Sequence, residues 1–351
     1  HDVRREADLI EEILRIYGYN TVEINESVKS SLAYRPKPDK ERLQNTISSL
    51  LTYKGFFELW SNSLTKSDYA EKFGKVNNQE LVELFNPLSA DLDSMRQTLL
   101  FSGMEAIRHN TNRKNSNLKL YEFGQSYSKN GIKDENWEKN YAQQSHLAIF
   151  ITGNTGLNSW YSQDREYSFF DLKASVYMIL KKLGFKEDQI KTTASEDIYM
   201  SEGVALKIND SLIANIGLVK NEISNYFDIE STVFYADIYW ADLLNLSTNN
   251  QIIYQELPKY PSVRRDLALL IDKNVNFVDI EKVAYQTDKK LLKNVSLFDV
   301  YEGKNIEQGK KSYAVSFTLQ DENKTLTDKQ IDKAINTLVN QFKRHFKATI
   351  R

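Results

Sequence analysis

The alternation of apolar and polar residues over the last hundred positions predicts a run of short strands and amphipathic helices. Period-two patterns mark four strand segments, and apolar residues at helical spacing mark two helices. The predicted strands are Val263–Ile271, Val295–Tyr301, Lys311–Gln320 and Ala348–Arg351, and the predicted helices are Phe277–Leu292 and Asp328–Phe346. In chain order these elements read βαββαβ, the ferredoxin-like arrangement.

The two faces of this predicted sheet differ in polarity. One face takes apolar residues such as Val315, and the same alternation assigns Phe298 and Val300 to that helix-covered side. The other face carries polar residues among small ones: Arg264, Asp266, Asp299, Tyr301 and Ser312. A tyrosine beside a carboxylate and a hydroxyl suits an unstacked nucleobase. An ordinary solvated face has the same pattern, so alternation alone leaves both interpretations open.

Charge is distributed unevenly along the chain. Residues 255–351 contain 18 Lys and Arg against 13 Asp and Glu, a net charge of +5, whereas residues 1–254 contain 28 against 35, a net charge of −7. A basic segment on an acidic body indicates a polyanionic partner at the C-terminal end.

Composition narrows the class of protein. Hydrophobic residues make up 41% of the chain and charged residues 27%, with no cysteine, which excludes disulfides. No apolar run approaches the roughly 20 residues that a membrane span requires, so we expect a cytoplasmic protein without a membrane partner. The chain starts at His1 with no initiator Met, and a helix follows almost at once, which predicts an excised part of a longer protein.

Two polar stretches that contain or precede prolines predict the domain boundaries. The first surrounds Pro36 and Pro38, and the second runs from Asn245 to Gln251. They divide the chain into residues 1–34, 35–249 and 250–351. The middle part is predicted to hold helices and strands around a largely antiparallel sheet, an α+β arrangement. Its helices are Asp39–Tyr53 and Asp171–Leu183, and its strands are Phe56–Leu64, Leu118–Gln125, His146–Thr152, Gly203–Ile208, Ser211–Val219 and Val233–Tyr239.

Several motifs in fixed order carry a family resemblance. Those near the end of the chain resemble the ferredoxin-fold anticodon-binding domain that ends the β subunit of bacterial phenylalanyl-tRNA synthetase; they are Tyr260–Ala268, Phe298–Gly303, Gly309–Ala314, Thr325–Asp328 and Ala348–Arg351. The motifs Asp8–Tyr19, Asn86–Ser89 and Ser94–Leu100 extend the resemblance over essentially the whole chain. It implies an α+β fold class: a remnant of a small upstream domain in residues 1–34, a class II synthetase-like domain in 35–249, and the anticodon-binding domain in 250–351.

The resemblance also implies a function. The complete enzyme, an (αβ)2 heterotetramer, would charge tRNA(Phe) with phenylalanine using ATP, and its α subunit would perform the chemistry. Adenylate formation needs arginines on the ATP phosphates, yet residues 120–249 contain only Arg165, and Ser201–Leu244 contains none. The sequence shows neither a Walker-type loop nor a Ser-His-Asp or cysteine nucleophile motif, and His146 reads as a lone histidine. We therefore expect no catalytic residue in this chain and no ATP bound by it.

The anticodon assignment combines the resemblance with the polar face. Asp299 would accept hydrogen bonds from the first anticodon guanine, Tyr301 would stack on that base, and Ser312 would add a hydrogen bond. Arg264, Lys310 and Lys311 are candidates for contacts to the RNA backbone by charge alone.

The first helix suggests a metal site. Asp8, Glu11 and Glu12 share one helical face, and Asp2 lies six residues before Asp8. Oxygen ligands suit Mg²⁺, whereas zinc usually recruits His or Cys. Acidic residues in a first helical turn are also favoured by the helix dipole, so the pattern alone leaves that explanation open. The resemblance implies that these four residues hold magnesium shared with the α subunit.

A partner-docking role is the remaining expectation for the middle domain. Leu43, Ile47, Leu50 and Leu51 form a stripe that suits either an internal core or a helix bundle between subunits, and the resemblance favours the subunit interface. Two other classes of function stay open. One is a purely structural assembly subunit, and the other is a regulatory module whose ferredoxin-fold domain binds a small molecule.

Overall fold

The computed structural model describes residues 3–23, 27, 30–31, 39–74, 80–131, 137–156, 159–161, 163–248, 250, 254, 256–303 and 306–350. The chain forms two units, His1–Ile252 and Ile253–Arg351, and each is described by itself. The predicted division into three domains stays a prediction.

The first unit combines helices with a large, mainly antiparallel sheet. Its helices are α1 (Glu6–Tyr17), α2 (Lys40–Tyr53), α3 (Ser67–Phe73), α4 (Leu100–Thr111), α5 (Phe169–Lys182), α6 (Asn221–Tyr226) and α7 (Trp240–Ser247). Its strands are β1 (Phe57–Glu58), β2 (Leu64–Thr65), β3 (Ser94–Met95), β4 (Leu118–Lys129), β5 (Tyr141–Thr152), β6 (Ile190–Ala194), β7 (Met200–Ile208), β8 (Ser211–Val219) and β9 (Val233–Tyr239). Within the described residues the large sheet has the order β1-β4-β5-β9-β8-β7-β6, with only β1 and β4 parallel. The α+β prediction is confirmed.

Helices α2, α5 and α7 cover one face of this sheet. Period two along β5 and β9 points Ile149 and Ile238 into that core. Ile47 and Leu51 of α2 are fully buried in the same core, and Leu43 and Leu50 pack against it. The stripe on α2 is therefore internal, and the subunit interface expected for it is wrong, because packing within the unit already uses those side chains.

The opposite face of the sheet changes character along its strands. At one end α3, α4 and α6 cover apolar residues such as Leu120, Phe150 and Tyr235. At the other end the same face carries buried polar side chains, among them Glu122, Ser126, His146, Asn215 and Asp237. A buried polar group is stable only when it is hydrogen-bonded, so this end must contain an organised network.

The second unit has the predicted βαββαβ order. It consists of β10 (Val263–Asp272), α8 (Phe277–Thr287), β11 (Leu292–Tyr301), β12 (Lys310–Leu319), α9 (Asp328–Phe346) and β13 (Thr349–Ile350). The described strands form an antiparallel sheet in the order β11-β12-β10-β13. The ferredoxin-like fold is confirmed.

Helix α8 ends five residues earlier than the periodicity predicts. The Asp288 carboxylate accepts hydrogen bonds from the backbone N–H groups of Lys290 and Leu291, at 3.0 and 2.8 Å. Such a side chain to backbone turn competes with the helix, and β11 starts at Leu292 immediately afterwards. The apolar residues at the end of the predicted helix therefore belong to the turn and the strand.

Both helices of this unit lie on one face of its sheet. Ile280 of α8 and Leu338 and Phe342 of α9 share a core with Val315 and Phe317 of β12. The other face of the sheet carries the polar residues singled out from the sequence.

Strand β11 contains two irregularities in its pairing with β12. One lies between Leu292 and Asn294, and the other between Leu297 and Asp299. At the second, Leu297 is opposite Val315 and Asp299 is opposite Ala314, so Phe298 is an extra residue. A β-bulge of this kind changes which side chains reach which face.

Candidate nucleic-acid interface

The bulge sets Asp299 and Tyr301 on the uncovered face of the second unit. Asp299 pairs with Ala314 and Tyr301 pairs with Ser312. On the other side of β12, Ala268 also pairs with Ala314. We call the set Arg264, Asp266, Ala268, Phe298, Asp299, Tyr301, Ser312, Ala314 and Ser316 the open face. Its small residues at the centre leave room above the sheet for a flat ligand.

Tyr301 and Ser312 are directly opposite each other across two strands. The Tyr301 side chain is 40% exposed, whereas Ser312 is only 7% exposed. Gly303 lies under the tyrosine: a β-carbon built there would come within 2.6 Å of the ring carbon Cζ. The absence of a side chain at position 303 therefore allows the ring to lie close to the backbone.

A hydrogen-bonded chain crosses the open face from β12 to β10. The Ser316 hydroxyl donates to Asp266 Oδ1 at 2.7 Å, and Arg264 Nε donates to the same oxygen at 2.9 Å. Arg264 Nη2 donates to Asp266 Oδ2 at 3.3 Å, which makes the pair bidentate. The hydrogen bonds from Arg264, followed by that from Ser316, lower the pKa of Asp266 below its ordinary value.

Phe298 does not lie where alternation predicts. It is 54% exposed, and the guanidinium carbon of Arg264 lies 5.4 Å from the centre of its ring. The prediction that Phe298 packs under the helices is wrong. Phe298 is the extra residue of the bulge, so it has no partner on β12 and does not follow the alternation of the strand. Val300 is opposite Tyr313, on the face predicted for it, but it is 49% exposed because the helices do not extend over this end of β11.

The two lysines at the start of β12 point in different directions. Lys310 pairs in register with Asp272 and forms an ion pair with Glu307 at 2.6 Å. The hydrogen bond with Glu307 raises the pKa of Lys310. Lys311 is only 8% exposed, and its ammonium lies 4.6 Å from the ring centre of Tyr313, a residue of the helix-covered core. The structure therefore does not bring Lys311 to the open face.

The acidic residues of α1 have local partners. Asp8 accepts hydrogen bonds from the backbone N–H groups of Arg5 and Arg4, at 2.9 and 3.1 Å, and closes a capping box with Arg5. These two bonds are the main causes of a lowered pKa for Asp8. Glu12 forms an ion pair with Arg15 at 3.2 Å.

No metal-ligating cluster of three or more His, Cys, Asp or Glu residues occurs among the described residues. Asp2 lies outside them. The arrangement seen here, in which Asp8 caps the helix, does not by itself fit a magnesium site.

A buried polar network crosses three strands of the first unit. The Ser126 hydroxyl lies 2.9 Å from His146 Nε2, and His146 Nδ1 lies 2.7 Å from Asp237 Oδ1. His146, which has no partner within its own segment of the sequence, therefore has two polar partners in the folded chain. Sequence motifs missed this network because the three residues come from β4, β5 and β9, far apart in the chain. All three side chains are buried, so the network satisfies polar groups under the sheet surface and does not present a nucleophile.

A cleft of about 650 Å³ lies on the same sheet and is lined by Asp197, Tyr199, Asn215 and Tyr239, among others. Burial raises the pKa of Asp197 above its ordinary value and raises the pKa of Tyr199 and of Tyr239 to about 12. The Asn215 amide donates to the Tyr239 hydroxyl at 3.3 Å. The two tyrosines are therefore neutral at neutral pH, and the lining also includes Glu196 and Lys207.

Comparison with known proteins identifies both units. Residues 24–240 match the phenylalanyl tRNA synthetase beta chain CLM domain, and residues 258–351 match the ferredoxin-fold anticodon binding domain. The phenylalanine–tRNA ligase beta subunit of Bacteroides thetaiotaomicron is 47% identical over all of this chain, and that of Porphyromonas gingivalis is 42% identical over 94% of it. The chain spans 43% and 41% of the lengths of these two relatives.

A solved pyrrolysyl tRNA synthetase of Desulfitobacterium hafniense superposes with a TM-score of 0.46 at 12% identity, over 61% of this chain and 68% of that one. Within the described residues no helix is both long enough and apolar enough to cross a membrane.

Proposed function

Because the chain belongs to the phenylalanyl-tRNA synthetase beta chain family, we propose that it forms the partner-docking and anticodon-binding part of a phenylalanine–tRNA ligase beta subunit. The complete enzyme would be a cytoplasmic (αβ)2 heterotetramer that charges tRNA(Phe) with phenylalanine using ATP. In this proposal the α subunit binds ATP and performs the chemistry. This chain supplies the surface that docks the α subunit and the sheet face that binds the anticodon.

The observation that carries the proposal is the grouping of Asp299, Tyr301 and Ser312 on the open face. The register places the tyrosine opposite the serine and the aspartate two residues away on the same strand. A base that lies on the tyrosine ring would bring its Watson–Crick edge toward the carboxylate and the hydroxyl. Guanine, which offers an N1–H and an exocyclic amine, is the base that an ionised carboxylate complements, since the carboxylate can only accept hydrogen bonds.

Electrostatics supports the same surface. The ammonium group of Lys310 lies near the end of the open face and is partly exposed. Its pairing with Glu307 is an exposed ion pair, which is weak because water and salt screen it, so a phosphate can compete for it. We propose Lys310 as a backbone contact and leave out Lys311, which is buried under the sheet.

Exposed apolar side chains in the first unit support partner docking. Trp60 and Phe85 are almost fully exposed, as is Leu88, and Phe57 is largely exposed. Aromatic side chains such as these are enriched at the centres of protein–protein interfaces. In this proposal the α subunit covers them.

Magnesium enters the proposal only together with the partner. Asp8, Glu11 and Glu12 would supply carboxylate ligands from α1, with Asp2 and groups of the α subunit completing the site. Asp8 would have to exchange its capping hydrogen bonds for the metal. The test is calorimetric titration of Mg²⁺ into this chain alone and into its complex with the α subunit; magnesium binding to neither would reject the site.

The deciding experiment for the anticodon function is binding of this chain to a phenylalanine anticodon stem-loop at several salt concentrations. A second stem-loop carries cytosine in place of the first anticodon guanine. A preference for guanine supports base readout by the open face. Equal, steeply salt-dependent binding of both would mean a basic surface alone. No binding of either would reject anticodon recognition and favour a purely structural subunit.

A further inference from the structure

Phe298 is an exposed aromatic residue that the proposed contacts to the first anticodon base leave unused. An apolar ring of this size gains free energy when it is removed from water, yet here 54% of it remains accessible. Its partner is the Arg264 guanidinium, at 5.4 Å from the ring centre. The pair lies on the open face three residues before Tyr301.

The Arg264 guanidinium is held in place by other residues. Asp266 binds it through two hydrogen bonds, at 2.9 and 3.3 Å, and Ser316 holds the same carboxylate at 2.7 Å. The bidentate pair fixes the orientation of the guanidinium plane. It also cancels the charge locally, which makes Arg264 a weaker attractor for a phosphate than an unpaired arginine.

We propose that Phe298 and Arg264 form a second stacking platform, which holds the nucleobase next to the one that stacks on Tyr301. The inference rests on the proposed anticodon function and extends it to a second nucleotide. Both a phenyl ring and a guanidinium plane accept a nucleobase by stacking. Every base has a π-face, so the platform adds affinity without reading base identity.

The spacing along β11 agrees with this assignment. Three residues of extended strand span roughly 10 Å, whereas stacked neighbouring bases lie only about 3.4 Å apart. Two bases held at Phe298 and Tyr301 would therefore be unstacked from each other. Unstacked, separated bases are the form in which proteins usually read single-stranded RNA loops.

The test combines protein variants with abasic RNA. The full chain, Phe298→Ala, Phe298→Leu and Tyr301→Ala are each titrated with stem-loops that lack one anticodon base at a time. Phe298→Ala and Phe298→Leu are expected to lower affinity for the intact stem-loop by about 5- to 150-fold, since leucine keeps the apolar bulk but not the ring. The loss should vanish with one abasic stem-loop, which differs from the one that cancels the Tyr301→Ala effect. Val278→Ala, on the exposed side of α8, is the matched control and should bind like the parent chain.

The outcomes separate the two proposals. If Tyr301→Ala weakens binding and Phe298→Ala does not, the second platform is rejected and the anticodon function stands. If Phe298→Ala weakens binding equally to all stem-loops, the ring has no nucleobase of its own and the platform is rejected. If the parent chain does not bind the stem-loop, both proposals fail.

A second arm tests Arg264 as a stacking group. The variant Arg264→Gln with Asp266→Asn removes one positive and one negative charge, so the net charge is unchanged. We expect lower affinity with an unchanged salt dependence. A fall of roughly one unit in the salt slope would instead mark Arg264 as a phosphate contact and overturn its part in the platform.

Discussion

The hydroxyl of Tyr301 lies where a side chain at Gly303 would begin. A β-carbon built on Gly303 would come within 2.5 Å of the Tyr301 hydroxyl oxygen, and the other atoms within 3.1 Å of it belong to the same ring. Contacts shorter than 3.0 Å require one group to move. The glycine thus fixes how close the tyrosine ring lies to the strand end.

Gly303→Ala is predicted to displace the Tyr301 ring and weaken binding of the anticodon stem-loop, with little change in unfolding temperature. The double variant Gly303→Ala, Tyr301→Ala should bind like Tyr301→Ala alone, because the glycine acts only through the ring. Gly156→Ala is the control, since its added carbon meets nothing within 4 Å. Additive losses in the double variant would contradict this explanation.

Tyr301→Ala is predicted to cost about 1–3 kcal/mol of stem-loop binding, the usual contribution of one stacked base. Tyr301→Phe keeps the stacking surface and should retain most of the affinity. Equilibrium binding at one fixed salt concentration measures both variants. Undiminished affinity of the alanine variant would rule out stacking on this ring.

Asp299→Asn is predicted to reduce the preference for guanine over cytosine at the first anticodon position. A carboxylate accepts two hydrogen bonds from guanine, whereas an amide presents one donor and one acceptor. The expected loss of discrimination is about 1–3 kcal/mol. Competition between the two stem-loops measures it, and an unchanged ratio would show that Asp299 does not contact the base edge.

The stability of the first unit is predicted to be sensitive to the loss of either partner of the buried ion pair between Arg96 and Glu122. Arg96 Nη1 lies 2.7 Å from Glu122 Oε1, and the two side chains are only 5% and 2% exposed. Arg96 Nε also donates to the Gln125 carbonyl at 2.9 Å. Removing one partner leaves a buried charge, so Arg96→Met should lower the free energy of unfolding by about 3–5 kcal/mol. Arg96→Met together with Glu122→Leu should lose less.

Urea unfolding followed by tryptophan fluorescence measures these changes, because all four tryptophans lie in residues 1–252. A double variant that loses more than the single one would show that the carboxylate is stable without its arginine.

Asp197→Asn is predicted to stabilise the chain at neutral pH. Burial raises the folded-state pKa of Asp197, so ionisation favours the unfolded chain. This destabilisation is absent below the ordinary carboxyl pKa and increases as the pH rises through the raised value. The gain in melting temperature should be present at pH 8 and shrink as the pH approaches 4, and a gain independent of pH would contradict the assignment.

Much of the second unit could be predicted from alternation and helical spacing alone. Helix α9 begins and ends at the predicted residues. Asp299, Tyr301 and Ser312 lie on the predicted face of the sheet. Alternation failed at Phe298, because a bulge adds one residue to a strand without any local sequence signal as clear as a glycine or proline. Lys311 directly precedes Ser312, so strict alternation places it on the helix-covered face. Its charge alone did not predict this position.

The buried polar network of the first unit could not be predicted from the sequence, because its residues become neighbours only through strand pairing between distant segments. Ser126, His146 and Asp237 become neighbours only when three strands pair in register. Gly124 shows the same limit. It lies within β4, and its missing side chain makes room for Arg96, whose Nη2 would lie 2.3 Å from a β-carbon there. No pattern within a single segment contains that information.

The bulge at Phe298 also determines how tolerant this surface is to changes in chain length. Side chains alternate with a period of two, so one residue more or less reverses every later side chain of a strand. The bulge already absorbs one extra residue: with Phe298 deleted, Leu297 would stay opposite Val315 and Asp299 opposite Ala314, so Asp299 and Tyr301 would remain on the open face. A single-codon deletion at this position would therefore remove one aromatic ring from the open face and leave the register of its other side chains unchanged.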